Sequence, residues 1–194
     1  MIRCVSWVRQ AARLLTAATV LGLVACASPP TMQGQVEGAF ERAGRFAVHV
    51  ENRHGEPDAV QGGFAWRDTG KVLWLDLANP LGSTLARVEV RPGQAVLTRS
   101  NGETEAAPNP DALVAQVLGS PIPVSGLRDW LRGQPGRNVG AIAETDSQGR
   151  ATRFEQQGWQ VNLSRYDELG PRLLQLKRSE ADRTINVRLV IDSN

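Results

Sequence analysis

Run after run of this sequence places apolar residues at every second position, and the period turns helical in a single stretch. Arg45 to Glu51 puts Phe46, Val48 and Val50 on one face and Arg45, Ala47, His49 and Glu51 on the other. A period of two marks a half-buried strand, because successive side chains leave a pleated strand on opposite sides. Gly62 to Trp66 brings Phe64 and Trp66 to one face. Val72 to Asp76 then carries Leu73 and Leu75, continued by Leu77, on one side and Val72, Trp74 and Asp76 on the other, so this strand is apolar on both faces for much of its length. Thr84 to Val90, with Ala86, Val88 and Val90 inward, Ala95 to Arg99 and Glu103 to Ala107 extend the series. Turn chemistry separates the runs: Arg67-Asp68-Thr69-Gly70, Asn79-Pro80-Leu81-Gly82, Arg91-Pro92-Gly93-Gln94 and Asn101-Gly102. Gln35 to Arg42 fits either a short helix or the lead into a strand.

The period changes at Asn109-Pro110-Asp111, which supplies an N-cap, a first-turn proline and an acid placed well for the helix dipole. Ala112, Leu113, Ala115, Gln116, Val117 and Leu118 make a helix of two to three turns, closed by Gly119 and broken by Pro121 and Pro123. Ser125 can cap a second short helix with Leu127, Trp130 and Leu131 on one stripe, ended by Gly133. Strands then resume over 140–145, 151–156 and 159–166, the last with Trp159, Val161 and Leu163 on one face, and 171–178 pairs with 183–191 as a final hairpin. Strands, one helical insertion and strands again predict a mainly β domain. Its core would be a single curved antiparallel sheet of about nine to eleven strands, with the helices packed into the concave side.

The first 25 residues stand apart. Arg3, Arg9 and Arg13 form a basic segment, and Leu14 to Val24 is an apolar run too short to span a bilayer as a permanent helix. Leu23-Val24-Ala25-Cys26 resembles a lipobox, in which the cysteine is lipidated and becomes N-terminal after cleavage. On this reading residues 1–25 are a cleaved signal peptide, 26–35 a lipidated N-terminus and flexible tether, and 36–194 the folded domain. Cys26 would carry a covalent diacylglycerol and a fatty acyl group. The residue after the cysteine is Ala27 rather than Asp, and the resemblance to bacterial lipoproteins of the enteric type implies export to the outer membrane, on its periplasmic face. Cleavage removes three of 22 basic residues and none of 20 acidic ones, leaving 19 against 20. That balance gives no support to a polyanion-binding surface, so no nucleic-acid partner is expected.

Chemistry-bearing motifs are missing. His49 and His54 have no cysteine or clustered carboxylates at ligand spacing, and there is no nucleophile elbow, phosphate-cradling loop or dinucleotide fingerprint. Glu103 with Glu105 and Asp167 with Glu168 read as solvated charge. No catalytic residues, metal or separate cofactor are expected, and no enzymatic activity. What the sequence has instead is apolar material: Trp66, Trp130 and Trp159 all lie on predicted inward faces. From the pattern alone these read first as a filled core, which any sheet-and-helix domain needs. Leu81, at the third position of its turn, reads as an ordinary exposed leucine.

Several short motifs in order carry a resemblance. Gly63-Phe64-Ala65-Trp66, Leu75-x-Leu77-x-Asn79-Pro80-Leu81-Gly82-Ser83, Leu118-Gly119-x-Pro121-Ile122-Pro123, Leu127-Arg128-x-Trp130-Leu131-x-Gly133-x-Pro135-Gly136 and Gln157-Gly158-Trp159-x-Val161 together resemble the LolB family of outer-membrane lipoproteins. The resemblance runs from about Phe40 to Ile191. It implies an incomplete antiparallel β-barrel with short helices as a lid over a hydrophobic cavity. It implies that the cavity takes the acyl chains of lipoproteins handed over by a LolA-type periplasmic carrier, for insertion into outer-membrane lipid by a monomeric receptor. On this footing the lining would come from Phe46 and Val48, Phe64 and Trp66, and Leu73, Leu75 and Leu77. Leu113, Leu127, Trp130 and Leu131 would add the helices, and Trp159, Val161 and Leu163 the later strands. Pro80 and Leu81 would form the loop that meets the membrane. The alternative is a lipid-anchored structural lipoprotein with a filled core and no transfer role. Two departures bear on barrel closure: the segment after Cys26 is short, and the chain ends soon after Ile191.

Overall fold

The computed structural model describes residues 38–118, 122–136 and 141–193. The signal segment, Cys26 and the tether, together with Gly119 and Pro121, lie outside the described residues. Among the described residues eleven strands form one antiparallel sheet: β1 (Phe40–Asn52), β2 (Asp58–Asp68), β3 (Leu73–Ala78), β4 (Thr84–Arg91), β5 (Gln94–Arg99), β6 (Thr104–Ala107), β7 (Ala141–Thr145), β8 (Ala151–Gln156), β9 (Trp159–Tyr166), β10 (Pro171–Ser179) and β11 (Arg183–Ile191). Their spatial order is β6-β5-β4-β3-β2-β1-β11-β10-β9-β8-β7. Every link is to a sequence neighbour except β1 with β11, which joins the two chain ends at the centre of the sheet. Two short helices, α1 (Pro110–Leu118) and α2 (Val124–Trp130), connect the edge strands β6 and β7. The edges do not pair with each other, so the barrel is incomplete, as expected.

Of the undecided lead-in, Phe40 to Arg42 is strand, and 35–37 lie outside the described residues. β1 starts at Phe40, not Arg45, and pairs with β2 from Phe40↔Asp68 through Val50↔Asp58. Gly44 sits where a side chain would collide: a Cβ there would stand 2.1 Å from the Val190 carbonyl oxygen on β11. A glycine inside a strand permits this close approach and sharp bending at a barrel corner. The inner faces of both halves share one core, from Val48, Trp66 and Val88 to Phe154, Val161 and Leu174.

α1 begins as predicted, with the Ala112 amide donating to Asn109 Oδ1 at 2.8 Å. α2 does not. Its capping position is Pro123, with no side-chain cap, and the Ser125 amide donates to Asp111 Oδ1 on α1 at 2.8 Å. The first helix therefore caps the second, a contact that only the tertiary structure brings about.

α2 is fastened to both halves of the sheet. The Trp130 indole donates to Gln156 Oε1 on β8 at 2.8 Å and packs edge-on against Phe154, with centroids 5.9 Å apart. On the other side Asp68 of β2, whose side chain is 1% exposed, accepts from Arg128 Nη2 at 2.6 Å, Arg128 Nε at 2.8 Å and Arg132 Nη1 at 3.1 Å. Burial pushes the Asp68 carboxyl up. The hydrogen bonds from Arg128, the Gly70 amide and Arg132 outweigh it and hold the carboxyl below the usual carboxylate range. Arg132 also stacks on Phe40, 4.0 Å from the ring centroid.

Two acids read as solvated are engaged instead. Asp167 receives two bonds from the buried Arg42, at 2.8 and 3.0 Å, which with the Leu169 and Gly170 amides hold its carboxyl low. Glu105 pairs with Arg99. Both are long-range or cross-strand partners that local spacing does not reveal.

Candidate functional site

The inner face of β1 to β5 and β11 has more room than its side chains fill. Antiparallel pairing puts like residues in rows across the strands. One row runs Trp66, Leu75, Val88 and Leu97, and the next runs Phe64, Leu77, Ala86 and Arg99. In the second row Ala86 is small and Gly44 stands opposite Phe64, so the wall recedes there. The helices bridge this part of the sheet with Val114, Val124, Leu127 and Leu131, and a cavity of about 220 Å³ is left beneath them. Among the described residues that line it, Arg99 is the one charged residue and the others are apolar.

The predicted lining residues divide into two groups. Phe46, Val48, Phe64, Trp66, Leu75, Leu77, Leu127 and Leu131 form walls of the cavity. Leu73, Leu113, Trp130, Trp159, Val161 and Leu163 do not line it, and each is at most 2% exposed within close-packed core. The physical reason is where the helices rest. Trp130 fills the space above β8 and β9, so that half of the sheet is plugged, while the shorter side chains of α1 and α2 leave the β1–β5 half open. Alternation puts a residue on the inner face. It does not say whether a neighbour fills the space in front of it.

Several lining residues were not singled out from sequence. Ala86 lies on a face predicted inward, and Val187 and Leu189 of β11 and Leu97 of β5 follow the same period, but alternation alone does not mark them as lining. Leu85 breaks the period. The register shifts between Leu77 and Ala78, so that Leu77 faces Ala86 while Ala78 faces Thr84. This bulge turns Leu85 into the cavity instead of out with Arg87 and Glu89. Trp66 is 2% exposed and its indole N–H has no acceptor among the described residues, an unspent donor in an apolar wall.

The cavity opens toward the end of the sheet that carries the β3–β4 loop. Val60 and Leu85 in its wall are 42% and 49% exposed, and Leu81 in the loop is 83% exposed. That loop is rigidly made. Gly82 N donates to the Asn79 carbonyl at 2.9 Å, the hydrogen bond of the predicted β-turn. Leu81 N and Ser83 N donate to Asn79 Oδ1 at 2.9 and 3.0 Å, and Gly82 takes φ +90°, open to glycine without strain. A leucine is thus held out in water by a turn whose amides are satisfied internally.

On the opposite face Asp76 is buried under a bidentate contact with Arg87, and the Trp74 indole donates to Glu89 at 3.2 Å. The second face of the doubly apolar strand is therefore sealed by cross-strand pairs. Among the described residues no group of histidine, cysteine or carboxylate side chains could hold a metal ion, and no helix is long and apolar enough to cross a membrane.

Comparison with known proteins agrees with this architecture. The family described as outer membrane lipoprotein LolB matches residues 38–193. The chain is 56% identical over 171 residues to the outer-membrane lipoprotein LolB of Bordetella petrii, covering 87% of this chain and 86% of that one. It is 55% identical over 188 residues to that of Bordetella pertussis, covering 96% and 94%. With that of Cupriavidus pinatubonensis it shares 36% over 192 residues, covering 92% of each. A solved LolA superfamily protein from Nitrosomonas europaea superposes with a TM-score of 0.39 at 6% identity over 79% of this chain and 87% of that one, too distant to carry argument.

Proposed function

This chain belongs to the outer membrane lipoprotein LolB family, and on that premise we propose that its open cavity shelters the acyl chains of other lipoproteins on their way into the outer membrane. The protein is an outer-membrane lipoprotein that serves as a receptor in lipoprotein localisation. The observation that carries the acyl-binding reading is the cavity itself. Its walls are apolar save for Arg99, and it lies in a domain whose other half is tightly packed.

The energetics suit that cargo. Burying a methylene is worth about 0.8 kcal/mol, so an acyl chain of about fifteen gains about 12 kcal/mol on leaving water. A receptor must therefore cover the chain until the bilayer does. Transfer needs no nucleotide if each site, or finally the membrane, binds more tightly than the one before. A LolA-type periplasmic carrier is the donor that this scheme calls for. Cys26, lipidated, would anchor the receptor, and Leu81, held out beyond the cavity mouth, would enter the acyl region of the bilayer first.

The test is binding of the neutral apolar fluorophore N-phenylnaphthylamine to the mature domain. Saturable binding is expected, and Ala86→Phe, which puts a ring into the cavity, is expected to reduce it at least tenfold while the domain stays folded. Wild-type protein that binds no apolar probe would favour a filled-core structural role.

A further inference from the structure

Arg99 has no obvious place in a wall built for hydrocarbon. It is the last residue of β5, opposite Ala86, and it lines the cavity beside the half-exposed Leu85, with its side chain 37% exposed. Glu105, on the edge strand β6, accepts from its Nη2, and the Glu105 side chain is 28% exposed. A guanidinium has five N–H donors and no acceptor. An occupant that covers this pair with hydrocarbon alone would strip water from those donors and replace it with nothing, at a cost in free energy. An occupant whose polar atoms accept hydrogen bonds at that level would satisfy them.

We infer that the Arg99–Glu105 pair reads the polar linkage of the cargo at the cavity mouth, favouring neutral ester- and amide-linked acyl chains over anionic amphiphiles. The inference rests on the acyl-binding reading above. Ester and amide carbonyls are acceptors without charge, and they stand where the acyl chains of a lipidated cysteine converge. Arg99 donates to them as chains enter past Leu85. Glu105 neutralises the guanidinium, so a free carboxylate or phosphate gains little net attraction there and meets the Glu105 charge as well. The pair gives the mouth hydrogen-bonding power without net charge, a filter against the anionic lipids of the surrounding membrane.

The test displaces N-phenylnaphthylamine from the mature protein with two competitors, a tripalmitoylated cysteinyl peptide of no net charge and palmitate. Arg99→Met is expected to weaken the lipopeptide about tenfold relative to the fluorophore, as loss of a hydrogen bond to a charged group does. Glu105→Gln is expected to tighten palmitate several-fold, whereas Arg99→Met weakens it, so the two variants move palmitate in opposite directions. Unchanged lipopeptide affinity in Arg99→Met, a parallel loss of fluorophore and lipopeptide, or palmitate affinity indifferent to Glu105→Gln would each overturn the inference. Wild-type protein that binds neither fluorophore nor lipopeptide would instead bring down the acyl-binding reading.

Discussion

The resting cavity, at about 220 Å³, is smaller than the roughly 300–1,000 Å³ of pockets that enclose a drug-sized ligand. If the helices over the cavity lift to admit a whole acyl chain, Asp68 resists that movement on the β2 side through Arg128 and Arg132. Replacing Asp68 by Asn keeps the volume and the acceptor for the Gly70 amide, which donates to Oδ1 at 2.8 Å. It removes the charge that holds Arg128 and Arg132. Breaking a buried pair by removing one partner costs about 3–5 kcal/mol when the survivor stays buried. Here the arginine side chains are 34% and 28% exposed and can return to water. The expected loss is therefore about 2–3 kcal/mol, or about 5–10 °C in melting temperature for a domain of this size. The helices should also open more readily, so stopped-flow mixing with N-phenylnaphthylamine should show faster entry. Asp76→Asn is the control, because Asp76 is equally buried and paired with Arg87, but on the face away from the helices. It should destabilise without speeding entry.

The dependence on pH has a definite sign. Asp68 titrates lower in the folded protein than its ordinary value near 3.9, so its stabilisation is present above about pH 4 and disappears as pH falls through the folded value. The stability gap between wild type and Asp68→Asn in urea denaturation should thus be full at pH 7 and narrow below pH 4. A gap under about 0.5 kcal/mol at pH 7 would refute the reasoning, since that is the range of an ordinary surface change. Equal acceleration of entry by Asp76→Asn would refute it too.

Leu81→Glu should leave melting within the small range of surface substitutions, since the side chain is 83% exposed, and leave fluorophore binding intact. Transfer of a bound lipopeptide into liposomes should fall; equal transfer by mutant and wild type would remove Leu81 from that role. Trp130→Ala should cost about 3–5 kcal/mol of stability in denaturant titration, because it empties a fully buried site and takes from Gln156 Oε1 the shorter of its two hydrogen bonds, leaving only that from the Gly136 amide. A folded Trp130→Ala domain of near wild-type stability that has lost only probe binding would return Trp130 to the lid.

Much of the fold was legible because strand and helix periods are local properties. Alternation at Phe46-Val48-Val50 and Trp159-Val161-Leu163, and the Asn109-Pro110-Asp111 helix start, each needs only a few adjacent residues to declare itself. The Asn79–Gly82 turn was legible for the same reason, and it projects Leu81 as its residue types require. The single lipobox-like cysteine and the ordered LolB motifs pointed to the family without any coordinates.

What the sequence could not determine is what stands in front of each inward face. Leu75 and Val161 obey the same alternation, yet one borders a cavity and the other is packed shut. The difference is made by Trp130 leaning on Phe154 across a long loop, while Val124 and Leu127 stop short above β3. Leu85 faces inward through a one-residue bulge, Arg42 and Asp68 owe their neighbours to strands or helices distant in the chain, and Arg99 meets Glu105 through the β5–β6 pairing. The sequence by itself determined the strands, the helices and the exposed leucine, since these follow from local period and turn chemistry. Only the tertiary structure decided where the cavity lies and which charges guard it, because packing and long-range pairing depend on distances that no short stretch encodes.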